Sequence, residues 1–183
     1  MDPIERIDRA TAVAGDRVKG VKPADMSKPT PCPDFDVRAL LNHMLGGLSM
    51  LTAAAAGDEP AVPEGDQVGA DPAAAYDERR GALLAAMRVP GVIDRTWEMP
   101  FGPMTGEMMA GIAFMENLTH AWDVAKAPGQ DTTLPPDLVA ECARVVNPMD
   151  AMLRTPGVCG PAVKVPDTSS PQDKFIAFMG RNP

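Results

Sequence analysis

Ile4, Ile7, Ala14, Val18 and Val21, with Thr11 among them, recur at alternating spacings of three and four. That period places them on one stripe of an amphipathic helix from Pro3 to Val21, ended by Lys22-Pro23. The next segment, Lys28-Pro29-Thr30-Pro31-Cys32-Pro33-Asp34-Phe35, is expected to run extended, because each proline restricts the residue before it. Asp36 is the expected N-cap of a second helix reaching roughly Ala56, with Val37, Leu40, Leu41, Met44, Leu45, Leu48 and Leu51 on its apolar side. Residues 57–70 read as a polar loop containing Pro60, Pro63 and three glycines. Asp71-Pro72 then opens a third helix, which carries Tyr76, Leu83, Leu84 and Met87 and stops at Pro90-Gly91.

Arg95 to Gly102 has no helical period and is expected to be an irregular or strand-like link. A fourth helix runs from about Thr105 to Lys126, closed by Pro128-Gly129. A fifth begins near Pro135-Pro136, with Leu138, Cys142, Val145, Val146 and Met149 on one side and Pro148 to bend or end it. Beyond Thr155 the chain reads as loop, except for a short helix framed by Ser170 and Gly180 whose Phe175, Ile176 and Met179 can pack back onto the body.

Long helices without a convincing sheet predict an all-α fold, a helical bundle filling one domain over residues 1–183. The loop between the second and third helices is longer than an antiparallel hairpin needs, which predicts a crossover leaving those two helices parallel. Composition adds that the interior is filled mainly by Leu, Ala, Val and the 13 methionines, since aromatics are only 4% of the chain. A net charge of −8 argues against nucleic acid and against anionic membrane surfaces as partners. No run reaches about 18 unbroken apolar residues, so no membrane span is expected. The N-terminal residues lack the basic and apolar regions of a signal peptide. Three scattered cysteines, Cys32, Cys142 and Cys159, form no CxxC pair, so a disulfide framework is not expected and a reducing cytoplasm is the expected location.

Candidate chemistry concentrates on the two histidines, His43 and His120. Glu116 and His120 are four apart on the fourth helix and leave the same face one turn from each other. Met109, Ile112, Ala113 and Thr119 surround Glu116 on that face, and no Lys or Arg lies within a turn to neutralise a buried carboxylate. His43 has Ala39, Leu40, Gly46 and Gly47 at three and four residues, a small surface that lets another helix approach. Two imidazoles and one carboxylate from facing helices make a three-ligand site with an open position, the pattern of catalytic rather than structural zinc. The same residues also read as a hydrogen-bonded edge histidine and a surface i, i+4 pair. Asp123, three residues past His120, is a candidate to orient His43 or His120 from behind, or a helix-end carboxylate. Cys32 lacks a nearby base in sequence, and the acidic stretch from Asp58 to Asp66 has no EF-hand spacing and reads as solvated charge.

Thr30-Pro31-Cys32-Pro33-Asp34-Phe35-Asp36-Val37, followed by Leu41-Asn42-His43, resembles the opening motif of the mycothiol-dependent maleylpyruvate isomerase N-terminal-domain family. Glu116-Asn117-Leu118-Thr119-His120-Ala121-Trp122-Asp123-Val124-Ala125 is similar to its second hallmark, and Ser170 through Pro183 to the closing segment of compact actinobacterial members. The wider group is the DinB/YfiT-like superfamily. The resemblance implies an up-down-down-up four-helix bundle, here with an extra short C-terminal helix. It also implies a divalent metal, most often zinc, on His43, Glu116 and His120, with nickel or another first-row metal as alternatives. A low-molecular-weight thiol, mycothiol, is the implied cosubstrate, with an electrophile as its partner in a transferase or isomerase reaction. Two departures stand out. Phe35 replaces the usual Trp, and this chain is too short for the additional C-terminal domain of the isomerase itself, a departure that bears on the isomerase reaction and leaves the metal site untouched. A metal-dependent hydrolase and a non-catalytic metal-binding or sensing module remain the alternative readings, and monomer and homodimer the alternative assemblies.

Overall fold

A computed structural model describes residues 1–100, 102–155 and 158–183. Helix α1 spans Pro3–Lys19 and is capped by Asp2, whose carboxylate accepts from the backbone N–H of Ile4 and Glu5 at 2.9 and 3.2 Å. It ends two residues before the predicted boundary, at Gly20, leaving Val21 buried just outside it. Helices α2 (Val37–Ala56) and α3 (Pro72–Met87) have the predicted caps, Asp36 and Asp71, each accepting from an N–H three residues on. The buried residues of α3 are the four expected, Tyr76, Leu83, Leu84 and Met87.

The link after α3 is a β-hairpin. Strands β1 (Thr96–Met99) and β2 (Gly102–Thr105) pair antiparallel, with Trp97 opposite Met104. Phe101, within the predicted link, lies outside the described residues. Trp97 is buried and donates its indole N–H to the Val92 carbonyl at 2.9 Å, which explains why so short a hairpin holds its place. Helix α4 (Gly106–Lys126) follows directly, with Thr105 as N-cap. A Cβ on Gly106 would lie 2.5 Å from the Val92 carbonyl oxygen, so only glycine allows α4 to start against that backbone.

Helix α5 (Pro136–Val146) ends where Pro148 forces a 3-10 turn, Asn147–Met149, before the short α6 (Asp150–Leu153). Pro156 and Gly157, in the segment expected to be loop, lie outside the described residues. Helix α7 (Pro171–Phe178) packs on α5, and Phe175, Ile176 and Met179 are buried as expected.

Contacts between helices establish their directions. Asp8, early in α1, pairs with Arg80 and Arg88 late in and just after α3, whereas Lys19 meets Asp77 near the start of α3, so these helices are antiparallel. Gln130, just past the end of α4, donates to the Arg17 carbonyl near the end of α1 at 3.1 Å, so α1 and α4 run parallel. His43, early in α2, meets Glu116 and His120 late in α4, so α2 and α4 are antiparallel. The order is therefore up-down-down-up, and α2 and α3 are parallel as the long connection predicts. That connection runs back along α2. Val62 lies over Gly46, the Gln67 N–H reaches Asn42 Oδ1 at 2.7 Å, and Asp66 pairs with Arg38. Gly46 thus admits a loop rather than the helix expected there. Asp66 is not solvated charge only: its bonds from Arg38 and Asn42 pull its pKa down to about 2.

Helix α2 also has the length and hydropathy of a membrane-crossing helix, with a mean of 1.3 over its most apolar window. Half of that window is buried inside the bundle, as expected of a core helix.

Candidate metal centre

The facing parts of α2 and α4 bring all three predicted ligands together. Nε2 of His43 and Nε2 of His120 each lie 3.2 Å from Oε2 of Glu116, and the two rings meet edge to face at 5.1 Å. The three donor atoms all lie within 4.8 Å of one another. Donors each about 2.1 Å from one tetrahedral ion stand roughly 3.4 Å apart, so the donor set and its spacing fit a single zinc-like ion after small rotations.

Exposure rises from floor to rim across the cluster. The side chain of His120 is 6% exposed, that of Glu116 37% and that of His43 43%. The carboxylate is therefore not sealed among apolar neighbours as the helix pattern suggested, and its hydrogen-bond partners are the two imidazoles. Phe35 holds the exposed His43 ring by stacking on it at 5.2 Å with planes 25° apart. Its presentation depends on the segment before α2, which turns instead of extending. Pro29 bridges Asp36, the Phe35 N–H reaches the Cys32 carbonyl at 3.0 Å, and the Thr30 hydroxyl donates to the Phe35 carbonyl at 2.8 Å. Thr30 closes the loop by hydrogen bonding across a span that proline pattern alone makes look straight.

Asp123 settles on one of its two candidate partners. Its Oδ2 lies 2.9 Å from Nδ1 of His120. The same buried carboxylate accepts from Arg181, at 2.9 Å from one terminal nitrogen and 3.3 Å from Nε, while the other terminal nitrogen donates to the Met179 carbonyl at 2.7 Å. Sequence reasoning missed Arg181, which is 58 residues from Asp123 and carries no local signal. Burial alone would raise the Asp123 pKa, but the bond from His120 and the Arg181 charge hold it below the usual carboxylate range. Burial would likewise lower the His120 pKa, yet carboxylates at both ring nitrogens raise it to about 9. A pKa of about 9 favours the imidazolium at neutral pH, the form in which both ring nitrogens donate. Partial desolvation between the two helices would raise the Glu116 pKa, but hydrogen bonds to His120 and His43 hold it well below its ordinary value.

The three candidate ligands lie at the junction of two depressions. One, of about 570 Å3, is walled by the turn at Pro31–Phe35 and by the tail residues Cys159–Pro161 and Met179–Arg181. The other, of about 250 Å3, lies between α2 and α4. Thr119 lines the first, and its buried hydroxyl has no hydrogen-bond partner among the described residues. Cys32 lines it too, but burial pushes its thiol pKa up despite the nearby Arg181, which keeps it protonated and a poor nucleophile.

Residues 7–125 match the family model of the mycothiol maleylpyruvate isomerase N-terminal domain. Two Mycobacterium tuberculosis proteins, both described as uncharacterized, are similar over nearly the whole chain: MT0763 of strain CDC 1551 and Rv0738 of strain H37Rv. Each is 31% identical over 185 aligned residues, covering 99% of this chain and 98% of the relative. No solved structure matches significantly.

Proposed function

The chain belongs to the mycothiol maleylpyruvate isomerase N-terminal domain family, and from that premise we propose that it holds one divalent ion, zinc in the first place, on His43, Glu116 and His120 and uses it with a low-molecular-weight thiol such as mycothiol. The observation that carries this reading is the meeting of three donor atoms from two helices within 4.8 Å, at the edge of a cavity large enough for a thiol cosubstrate. Nickel or another first-row metal suits the same nitrogen and oxygen donors.

A divalent ion held by His43, Glu116 and His120 would supply positive charge that lowers the pKa of a nearby thiol towards neutrality. The protein's own groups do the rest. Glu116 offsets only one of the two charges, which leaves the site attractive to an anion. Asp123, anchored by Arg181, holds Nδ1 of His120 as a donor and so directs the lone pair of Nε2 into the site. Phe35 keeps the His43 ring at the rim, where solvent and ligands reach it. Thr119 lines the same cavity, and its buried hydroxyl has no hydrogen-bond partner among the described residues.

Elemental analysis is expected to find about one ion per chain, and addition of thiol is expected to change the absorbance of cobalt-substituted protein. A protein that takes up no metal on titration refutes the site. A cobalt spectrum indifferent to thiol at every pH refutes the thiol and leaves hydrolysis or sensing. Glu116→Gln, if metal is retained, should shift the thiol response to lower pH, because the site becomes more positive.

A further inference from the structure

The second depression differs in kind from the first. Its walls are Met44, Leu48, Met50 and Leu51 of α2, Met109 and Ile112 of α4 and Val158 of the tail, and one end is the metal-ligand cluster itself. The floor opens at Gly47, where an added Cβ would meet nothing within 4 Å. The polar side chain of Asn117 at its edge is already used, accepting from Tyr76 at 2.7 Å and donating to the Ala113 carbonyl at 2.8 Å. No Lys or Arg lines this groove among the described residues. Among the described residues the cavity on the other side has Arg181 as its only Lys or Arg, and that guanidinium is held by Asp123 and the Met179 carbonyl.

We propose that this groove is the substrate-specificity site, seating the uncharged apolar body of a small molecule whose reactive end reaches His43, Glu116 and His120. The inference rests on the thiol-dependent reading for the reaction and on the groove's own residues for the substrate class. An apolar cavity of roughly 150 Å3 accommodates benzene, so the 250 Å3 here suits a substituted ring or an alkyl chain of about six to eight carbons. Three methionines make the wall adaptable in shape while keeping it apolar. A dicarboxylate fits poorly. One carboxylate can face the ion, but the other would be desolvated against methionine and leucine with no cation to pair it.

The test uses full-length, zinc-loaded protein labelled with 13C at the methionine methyls, titrated with 1-hexanol and separately with succinate. The expected result is saturable shifts at Met44, Met50 and Met109 with 1-hexanol and none there with succinate. Gly47→Leu, which fills the groove, should weaken hexanol binding at least tenfold while keeping its zinc and helical circular dichroism. If the leucine variant misfolds, Gly47→Ala replaces it, with a smaller loss expected. Shifts spread equally over remote methionines such as Met99 and Met152, unchanged hexanol affinity in the folded Gly47 variant, or succinate shifting the groove methyls would each overturn the proposal. A protein that takes up no zinc on titration, yet whose groove methyls still respond to hexanol, would refute the thiol-enzyme reading and leave the groove standing as a ligand site.

Discussion

The bundle contains two antiparallel pairs of the same kind, α1 with α3 and α2 with α4, and they are finished in opposite ways. Between α1 and α3 the space is closed. Tyr76 fills it, lying 3.4 Å from where a Cβ on Gly15 would be, and Arg80 and Arg88 both clamp Asp8 across the helices. Between α2 and α4 the corresponding layer holds His43, Glu116 and His120, with a cavity on one side and an apolar groove on the other. Helix packing by itself favours filling such space, since each lost contact costs dispersion and transfer energy. The α2–α4 pair instead leaves its layer open, with three titratable groups where large apolar ones would pack, and it is there that the proposed metal site lies.

Replacing ligands should have the largest effect on the open pair and little on its fold. The His43→Ala, His120→Ala double variant is expected to fall from one bound ion per chain to none by elemental analysis, with helical circular dichroism retained; bound metal surviving in that variant would dismiss the site. Tyr76→Ala should do the reverse in the closed pair, costing roughly 3–5 kcal/mol of unfolding free energy in a denaturant titration while metal stoichiometry in the folded fraction holds. Asp123→Asn bridges the two behaviours. It leaves the buried Arg181 guanidinium without its counter-charge, at a cost of about 3–5 kcal/mol, and weakens zinc binding on the order of 10–100-fold by loosening His120.

A pH dependence sharpens the same contrast. The His120 pKa is raised from 6.5 to about 9 in the metal-free fold, so the imidazolium's contribution to stability is fully present below about 6.5 and lost as pH rises through 9. Zinc must displace the proton on Nε2, so calorimetry in buffers of different ionisation enthalpy should show proton release on zinc uptake at neutral pH, fading above pH 9. Proton-independent uptake at neutral pH would contradict the imidazolium. The smallest expected effect is at Gly47. Alanine there meets no neighbour and removes a helix-interior glycine, so Gly47→Ala should stabilise by about 0.5–1 kcal/mol in thermal or denaturant unfolding.

The helices, their caps and their buried faces were legible in the sequence, because each follows from residues within a turn or two of one another. Asp36 and Asp71 cap where their side chains reach an N–H three residues on, and the α3 stripe of Tyr76, Leu83, Leu84 and Met87 is buried as its period requires. The Glu116–His120 pair follows from helical geometry alone, and the crossover from the length of the loop. Other features depended on contacts through space. The hairpin at Thr96–Thr105 forms because Trp97 finds a buried site, and the connector before α2 turns because Thr30 finds carbonyls to bond. Packing chose His120 over His43 for Asp123, and it brought Arg181 across 58 residues to the same carboxylate. Periodicity records which face a residue occupies, whereas the partner on that face is set by which elements pack together, a choice made by the whole chain at once.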